Sequence, residues 1–218
     1  MSLSIVNSMK VTKHEHATLQ VSMEDDNLII DPGVFLSLAD FSKVLAVVIT
    51  HEHQDHWTPD QLSRILEKSP DARILGPAGV EKAAAEFTIE VVKEGDAIEI
   101  GPFTLKFFGD KHAVIHESIP VPDNVGVLVN DELYYPGDSY TIPDAEVGTL
   151  AAPIGAPWLK IGEAMDFVLA VKPRRALYAH DMTLSVAGKG MHTERLKWAT
   201  EQGGGTFHPL EVGESLEV

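Results

Sequence analysis

Apolar and polar residues alternate with the short period of strands along much of this chain, and with the longer period of helices in only a few stretches. Ala17 to Val21 and Asn27 to Ile30 read as two strands joined by the polar turn Met23-Glu24-Asp25-Asp26, the second ending at Asp31-Pro32-Gly33. Val44 to Ile49 is an unbroken apolar run of strand length, as expected for a strand covered on both faces. Thr58-Pro59-Asp60-Gln61 has the form of a helix start: a hydroxyl N-cap, proline at the first helical position and Gln61 placed to close a capping box. That helix continues through Leu62, Ile65 and Leu66.

Beyond it the pattern predicts a strand from Ala72 to Leu75, an Ala-rich helix from Gly79 to Glu86, and strands starting at Ile89, Ala97 and Phe103, the last two turned at Gly101-Pro102. Val125 to Val129 and Leu133 to Tyr135 form a hairpin around Asn130-Asp131 that leads into Pro136-Gly137-Asp138. A strand at Leu150 to Ile154, a helix at Ile161 to Val171, a strand at Ala176 to Tyr178 and a helix at Thr193 to Glu201 complete the order, before Gly203-Gly204-Gly205. Strands then helices, twice over, favour two facing sheets with helices outside, an α+β sandwich, and one domain over residues 1–218.

An apolar fraction of 44% and a charged fraction of 23% are those of an ordinary globular chain. Seventeen basic against 33 acidic residues leave a net charge of -16, which disfavours nucleic acid and anionic membranes as partners. No apolar leader segment precedes the first strand, and the longest apolar run is far too short to span a bilayer, so a cytoplasmic location is expected. A small-molecule substrate is the expected partner, and association with a second copy is compatible with the sequence. The absence of cysteine restricts any metal site to imidazole and carboxylate, which suit zinc, manganese, iron or nickel.

Metal chemistry comes to the fore in Val47 to His56, VVITHEHQDH, where the apolar run breaks into three histidines and two acids. If the segment is extended, His51, His53 and Asp55 share one side, while Asp55 and His56 lie where the chain turns into the helix. Four ligand types on six residues suit two adjacent ions better than one. With 10 histidines in 218 residues, chance would produce HxHxDH roughly once in a thousand such chains, so a polar loop is a poor competitor.

The segment resembles the HxHxDH motif of the metallo-β-lactamase superfamily, and Asp31-Pro32-Gly33, His112, Pro136-Gly137-Asp138 and His180 follow the family order. Pro153-Ile154-Gly155 makes the chain similar to the compact branch of metal-dependent hydrolases and lactonase-like proteins. The resemblance implies a four-layer αββα sandwich with a binuclear site at one edge of the sheets. It implies that His51, His53 and a third histidine bind one ion, that Asp55, His56 and His180 bind the other, and that Asp138 bridges them. His112 is the expected third histidine, with His116 as competitor and pocket residue. His14, His16, His192 and His208 match no family position, and surface or helix-cap roles are expected for them.

Two divalent ions, with zinc expected and manganese, iron or nickel as alternatives, would hold a hydroxide between them that attacks a small, anionic ester, lactone or phosphodiester. Asp55 and Asp138 are the expected catalytic carboxylates, Asp55 orienting the nucleophile or taking its proton. Trp57, Tyr140, Trp158 and Lys160 are expected at the rim, as an aromatic wall with one cation. Two alternatives remain: an oxidoreductase with one iron on the same fold, and a metal-binding sensor without catalysis.

Overall fold

The computed structural model describes residues 8–37 and 40–218. The first half runs β1 (Met9–Lys13), β2 (Leu19–Met23), β3 (Asp26–Ile30), β4 (Val44–Val48), α1 (Pro59–Lys68), β5 (Arg73–Gly76), α2 (Ala78–Ala83) and β6 (Ile89–Val91). The second runs β7 (Ala97–Ile100), β8 (Phe103–Phe108), β9 (Gly126–Val129), β10 (Leu133–Tyr135), β11 (Thr149–Pro153), α3 (Ile161–Val171), β12 (Arg175–Ala179), α4 (Val186–Gln202), β13 (Thr206–Phe207) and β14 (Ser215–Glu217). One sheet has the order β14-β1-β2-β3-β4-β5-β6, and the other β13-β12-β11-β10-β9-β8-β7.

Three apolar clusters show how the layers stack. Leu28, Val48 and Leu75 of the first sheet pack with Phe107, Val127 and Leu177 of the second in a shared central core. Val47 and Ile29, on the other face of the first sheet, meet Leu62 and Ile65 of α1 and Val80 of α2. Leu128 and Tyr178, on the outer face of the second, meet Phe167 of α3 and Leu196 of α4. The result is an αββα sandwich in which β4 is covered on both faces. A register shift between Asn27 and Leu28 of β3 turns β4 within its length, so Val44 and Val47 both join the outer cluster.

Local signals explain the connections. Thr58 Oγ1 accepts the Gln61 N–H at 3.2 Å and Pro59 opens α1, but the capping box stays half formed. The Gln61 amide instead donates to the Leu36 carbonyl at 2.8 Å, tying the helix to the loop after β3. Asn130 and Asp131 have φ of 51° and 54°, the primed turn that matches hairpin twist.

Strand direction places the chemistry. β1, β3 and β4 run one way in the first sheet, as do β8, β10, β11 and β12 in the second. The loops leaving their C-terminal ends carry His16, Asp31, His51 to His56, His112, Asp138 and His180, and these meet at one edge of the sandwich.

Candidate metal centre

Residues 51–56 do not continue β4 as an extended segment. They bend into a turn closed by the His56 N–H on the His53 carbonyl at 3.0 Å, so ligand types gather through the turn rather than by strand alternation. Two glycines make room for it. A Cβ on Gly33 would lie 1.8 Å from the Asp55 carbonyl oxygen, and a Cβ on Gly137, at φ 63°, would lie 2.5 Å from Asn124 Oδ1. Asn124 Oδ1 in turn accepts the Asp138 N–H at 3.0 Å, which fixes that residue at the exit of β10.

The side chains converge in overlapping sets. Potential ligand atoms of His51, His53 and His112 lie within 4.8 Å of one another, as do those of His56, Asp138 and His180 and those of His51, Asp55 and His56. His51 Nε2 is 3.0 Å from His53 Nδ1. Asp138 Oδ1 is 3.3 Å from both His56 Nε2 and His180 Nε2, and its Oδ2 is 3.4 Å from His112 Nε2. Asp138 therefore stands between the two groups of histidines.

Outer contacts fix which nitrogen faces the cluster. The Nδ1–H of His112 donates to the Ala113 carbonyl and that of His180 to the Gly155 carbonyl, both at 2.5 Å. His56 Nδ1–H donates to Asp31 Oδ2 at 2.6 Å, and Asp31 also accepts the Thr50 N–H and Oγ1–H, each at 2.7 Å. In all three imidazoles Nε2 is turned inward, the arrangement by which outer partners orient metal-binding histidines.

Those inward atoms supply the test of fit. His56 Nε2, His112 Nε2, His180 Nε2 and Asp138 Oδ1 are buried without a hydrogen-bond partner. Buried polar atoms seldom go unpaired, and these four, three in one set and His112 in the set beside it, are imidazole and carboxylate donors that fit divalent transition metals.

Charge balance in the metal-free chain points the same way. Burial alone would strip the proton from His180, but Asp138 and Asp55 outweigh it and hold the imidazole up to about 9. Burial opposes charge on His56 as well, yet Asp31 and Asp138 raise it well above its usual value. Burial works against ionised Asp138 and Asp55, but the surrounding histidines keep both well below the ordinary carboxylate range. Protons on His56 and His180 thus offset the carboxylates where cations would otherwise do so. His51 and His53 are pushed down, by burial first and by neighbouring imidazoles next.

The remaining predicted residues divide. His116 is exposed, and its Nδ1 is engaged by Ser118, so it stands apart from the cluster that takes in His112. Trp57 is no rim residue: it is buried in the core beneath the motif, its indole N–H on the Glu52 carbonyl at 3.0 Å. Trp158 does reach the site, and its Nε1–H donates to Asp138 Oδ2 at 2.8 Å. Tyr140 packs edge-on against Trp158 at 5.1 Å and donates to the Lys160 carbonyl at 3.4 Å. The Lys160 side chain is 78% exposed, with Nζ 3.9 Å from Glu163 Oε1.

Among the unmatched histidines, His14 bonds Gln20, His192 bonds the Ile154 carbonyl, and His208 is half-buried. His16 departs from expectation: it is 1% exposed, with Nε2 3.2 Å from Asp55 Oδ2. Its place was hidden because β1 ends in Lys13, a buried lysine that breaks the apolar alternation. The tripeptide His14-Glu15-His16, identical to His51-Glu52-His53, was the one available signal.

A family model described as the beta-lactamase superfamily domain matches residues 10–180. The chain belongs to the metallo-β-lactamase superfamily. Within it, protein Rv0786c of Mycobacterium tuberculosis is 34% identical over 194 residues, covering 86% of this chain and 91% of the relative. Igni18, a metallo hydrolase from Ignicoccus hospitalis, shares the fold at a TM-score of 0.73 and 18% identity, covering 97% and 98% of the two chains. CmlA, a diiron β-hydroxylase from Streptomyces venezuelae, shares it at 0.71 and 15%, with 97% of this chain on 54% of that one. At those identities the likeness is one of fold, and one superfamily fold thus carries both hydrolytic and oxidative chemistry. Among the described residues no helix is long and apolar enough to cross a membrane.

Proposed function

We propose that the chain is a metal-dependent hydrolase that cleaves a small ester, lactone or phosphodiester at a site for two divalent ions, zinc being the expected metal. The convergence of four unpartnered buried atoms, His56 Nε2, His112 Nε2, His180 Nε2 and Asp138 Oδ1, carries this reading. His51, His53 and His112 would hold one ion. Asp55, whose Oδ2 is 4.0 Å from His56 Nε2 and 3.4 Å from His180 Nε2, would hold the other with those two histidines, with Asp138 between the two sets. Such a pair, when bound, lowers the pKa of water toward neutrality and polarises a carbonyl or phosphoryl oxygen.

The chain's own groups supply orientation and proton handling. Asp31 and the carbonyls of Ala113 and Gly155 lock imidazole tautomers, and Trp158 restrains one oxygen of Asp138. Asp55 is the open carboxylate of the cluster, its side chain 28% exposed against 4% for Asp138, so it is the group placed to orient a water or take its proton. Tyr140 and Trp158 form an aromatic wall beside His112, with ring centroids of Trp158 and His112 5.9 Å apart. Lys160, whose carbonyl accepts from Tyr140 and whose side chain is exposed, would be the cation beside this wall for a small anionic substrate.

The test is a panel of lactone, phosphodiester, thioester and β-lactam substrates, assayed with zinc-loaded, chelated and reloaded protein. Hydrolysis of at least one substrate, lost on chelation and restored by zinc, is expected. Inactivity on all four at full metal loading, or oxygen uptake by the iron-loaded chain without hydrolysis, overturns the reading.

A further inference from the structure

The ring of His16 is held the other way round from those of His56, His112 and His180. Its Nδ1 accepts the backbone N–H of Met182 at 3.1 Å, and a backbone N–H can only donate. Nδ1 is therefore bare, and in neutral imidazole the proton must sit on Nε2, which faces Asp55 Oδ2 at 3.2 Å. His56, His112 and His180 each give an Nδ1–H to an outer acceptor and turn Nε2 inward. The grouping of His16 with Asp55 and His180 satisfies the distances for a metal triad, but the proton on Nε2 does not.

Other contacts of the same residue join the two sheets. The His16 carbonyl accepts the His180 N–H at 2.7 Å, and the two rings pack with centroids 3.8 Å apart. Phe35 closes over the His16 ring edge-on at 4.7 Å. His16 does this from a left-handed backbone, φ 57°, which a residue with a Cβ adopts at a cost of order 1 kcal/mol. One residue at the end of β1 thus holds the backbone of His180, the backbone of Met182 and the carboxylate of Asp55.

We infer that His16 is a positioning residue, a fixed Nε2–H donor that sets the Asp55 carboxylate against His180, and is not itself a metal ligand. Asp55 has one oxygen, Oδ2, shared between the His16 donor and the His180 edge, 3.4 Å away. With the His16 donor removed, that carboxylate is free to rotate toward solvent, and the ion that Asp55, His56 and His180 would share loses a restrained ligand. Outer donors of this kind are typically worth roughly 10- to 100-fold in metal affinity. The effect on affinity rests on the metal reading proposed above, whereas the tautomer stands without it.

The test uses the full chain labelled with nitrogen-15 at histidine, metal-free and loaded with cadmium-113, and reads ring protonation and metal coupling by NMR. His16, assigned through the signal lost in His16→Gln, is expected to carry its proton on Nε2 in both forms and to show no cadmium coupling. A proton on Nδ1, or a coupling to either ring nitrogen, overturns the inference. Chelator competition then compares His16→Phe, which keeps a ring and loses the donor, with His16→Gln, which retains one. The Phe variant is expected to weaken one of two cadmium sites roughly 10-fold or more, with most of the loss recovered by Gln. Unchanged affinity in the Phe variant overturns the positioning role. A native chain that binds no cadmium sinks the proposed function, and the Nε2–H tautomer still decides the assignment of His16.

Discussion

The indole of Trp158 donates to Oδ2 of Asp138 at 2.8 Å, so the carboxylate that stands between two groups of histidines is restrained from the substrate wall. The same oxygen lies 3.4 Å from His112 Nε2, while Oδ1 is left without a hydrogen bond. Trp158→Phe preserves most of the ring packing and deletes the donor. Metal affinity should fall roughly 10- to 100-fold, and the metal-free chain should lose about 1–3 kcal/mol because a buried carboxylate oxygen loses its donor, as read by chelator competition and calorimetry. Equal affinity in the two proteins would show that the indole merely packs.

Asp31 joins the candidate metal centre to the fold. It is fully buried and accepts from the Thr50 backbone, the Thr50 hydroxyl and His56 Nδ1. Asp31→Ala strands these donors in a dry interior, at about 1–3 kcal/mol for each unsatisfied group. Urea unfolding of the metal-free variant should show a loss of at least about 3 kcal/mol, and His56 should no longer be held in the Nδ1–H form. A loss below about 1 kcal/mol would mean that water replaces the carboxylate without difficulty.

Metal binding should release protons. His180 keeps its proton up to about 9, and His56 is raised in the same direction, so both are charged in the metal-free chain at about pH 7. A ligand imidazole must shed that proton, and competition from it is strongest at low pH. Affinity should therefore climb as pH rises through the His180 value of about 9, with His56 shifted in the same direction and Asp55 and Asp138 ionised throughout. Calorimetric titration of zinc in buffers of different ionisation enthalpy measures the protons released. A pH-independent affinity between about pH 6 and 9 would contradict this charge balance.

Much of the architecture was legible because local chemistry and burial agreed. The run from Val44 to Ile49 contains β4 (Val44–Val48), Thr58-Pro59 opens α1, and Asn130-Asp131 turns the β9 and β10 hairpin. Where burial overrode the local pattern, the sequence misled. β1 was hidden by an inward Lys13, whose charge is met by Asp181 at 3.2 Å, a partner 168 residues away. Helix α4 begins at Val186 rather than Thr193: Gly188 and Gly190 weaken the helical signal, but Ser185 caps the first turn by accepting the Gly188 N–H at 3.1 Å. Trp57 follows the HxHxDH motif and Trp158 the Pro153-Ile154-Gly155 segment, yet one lies in the core and the other reaches Asp138, a distinction of loop direction that periodicity cannot carry.

The site was legible as residue types and order, and less so as roles. Motif spacing singled out His51 to His56, and the structure brings His112, Asp138 and His180 to them. What spacing could not supply was the orienting set, Asp31, Trp158 and His16, whose roles depend on contacts between loops of different strands. The choice of ring nitrogen that separates His16 from the other imidazoles is set by a backbone N–H 166 residues away.

The central claim is that these residues hold two ions, and elemental analysis of protein purified from metal-supplemented medium measures it most directly. About two equivalents of zinc or another divalent transition metal per chain are expected. His53→Ala should reduce occupancy at one site, and Asp138→Ala should weaken both. Less than about a tenth of an equivalent of any such metal, or unchanged occupancy in both variants, would contradict the account.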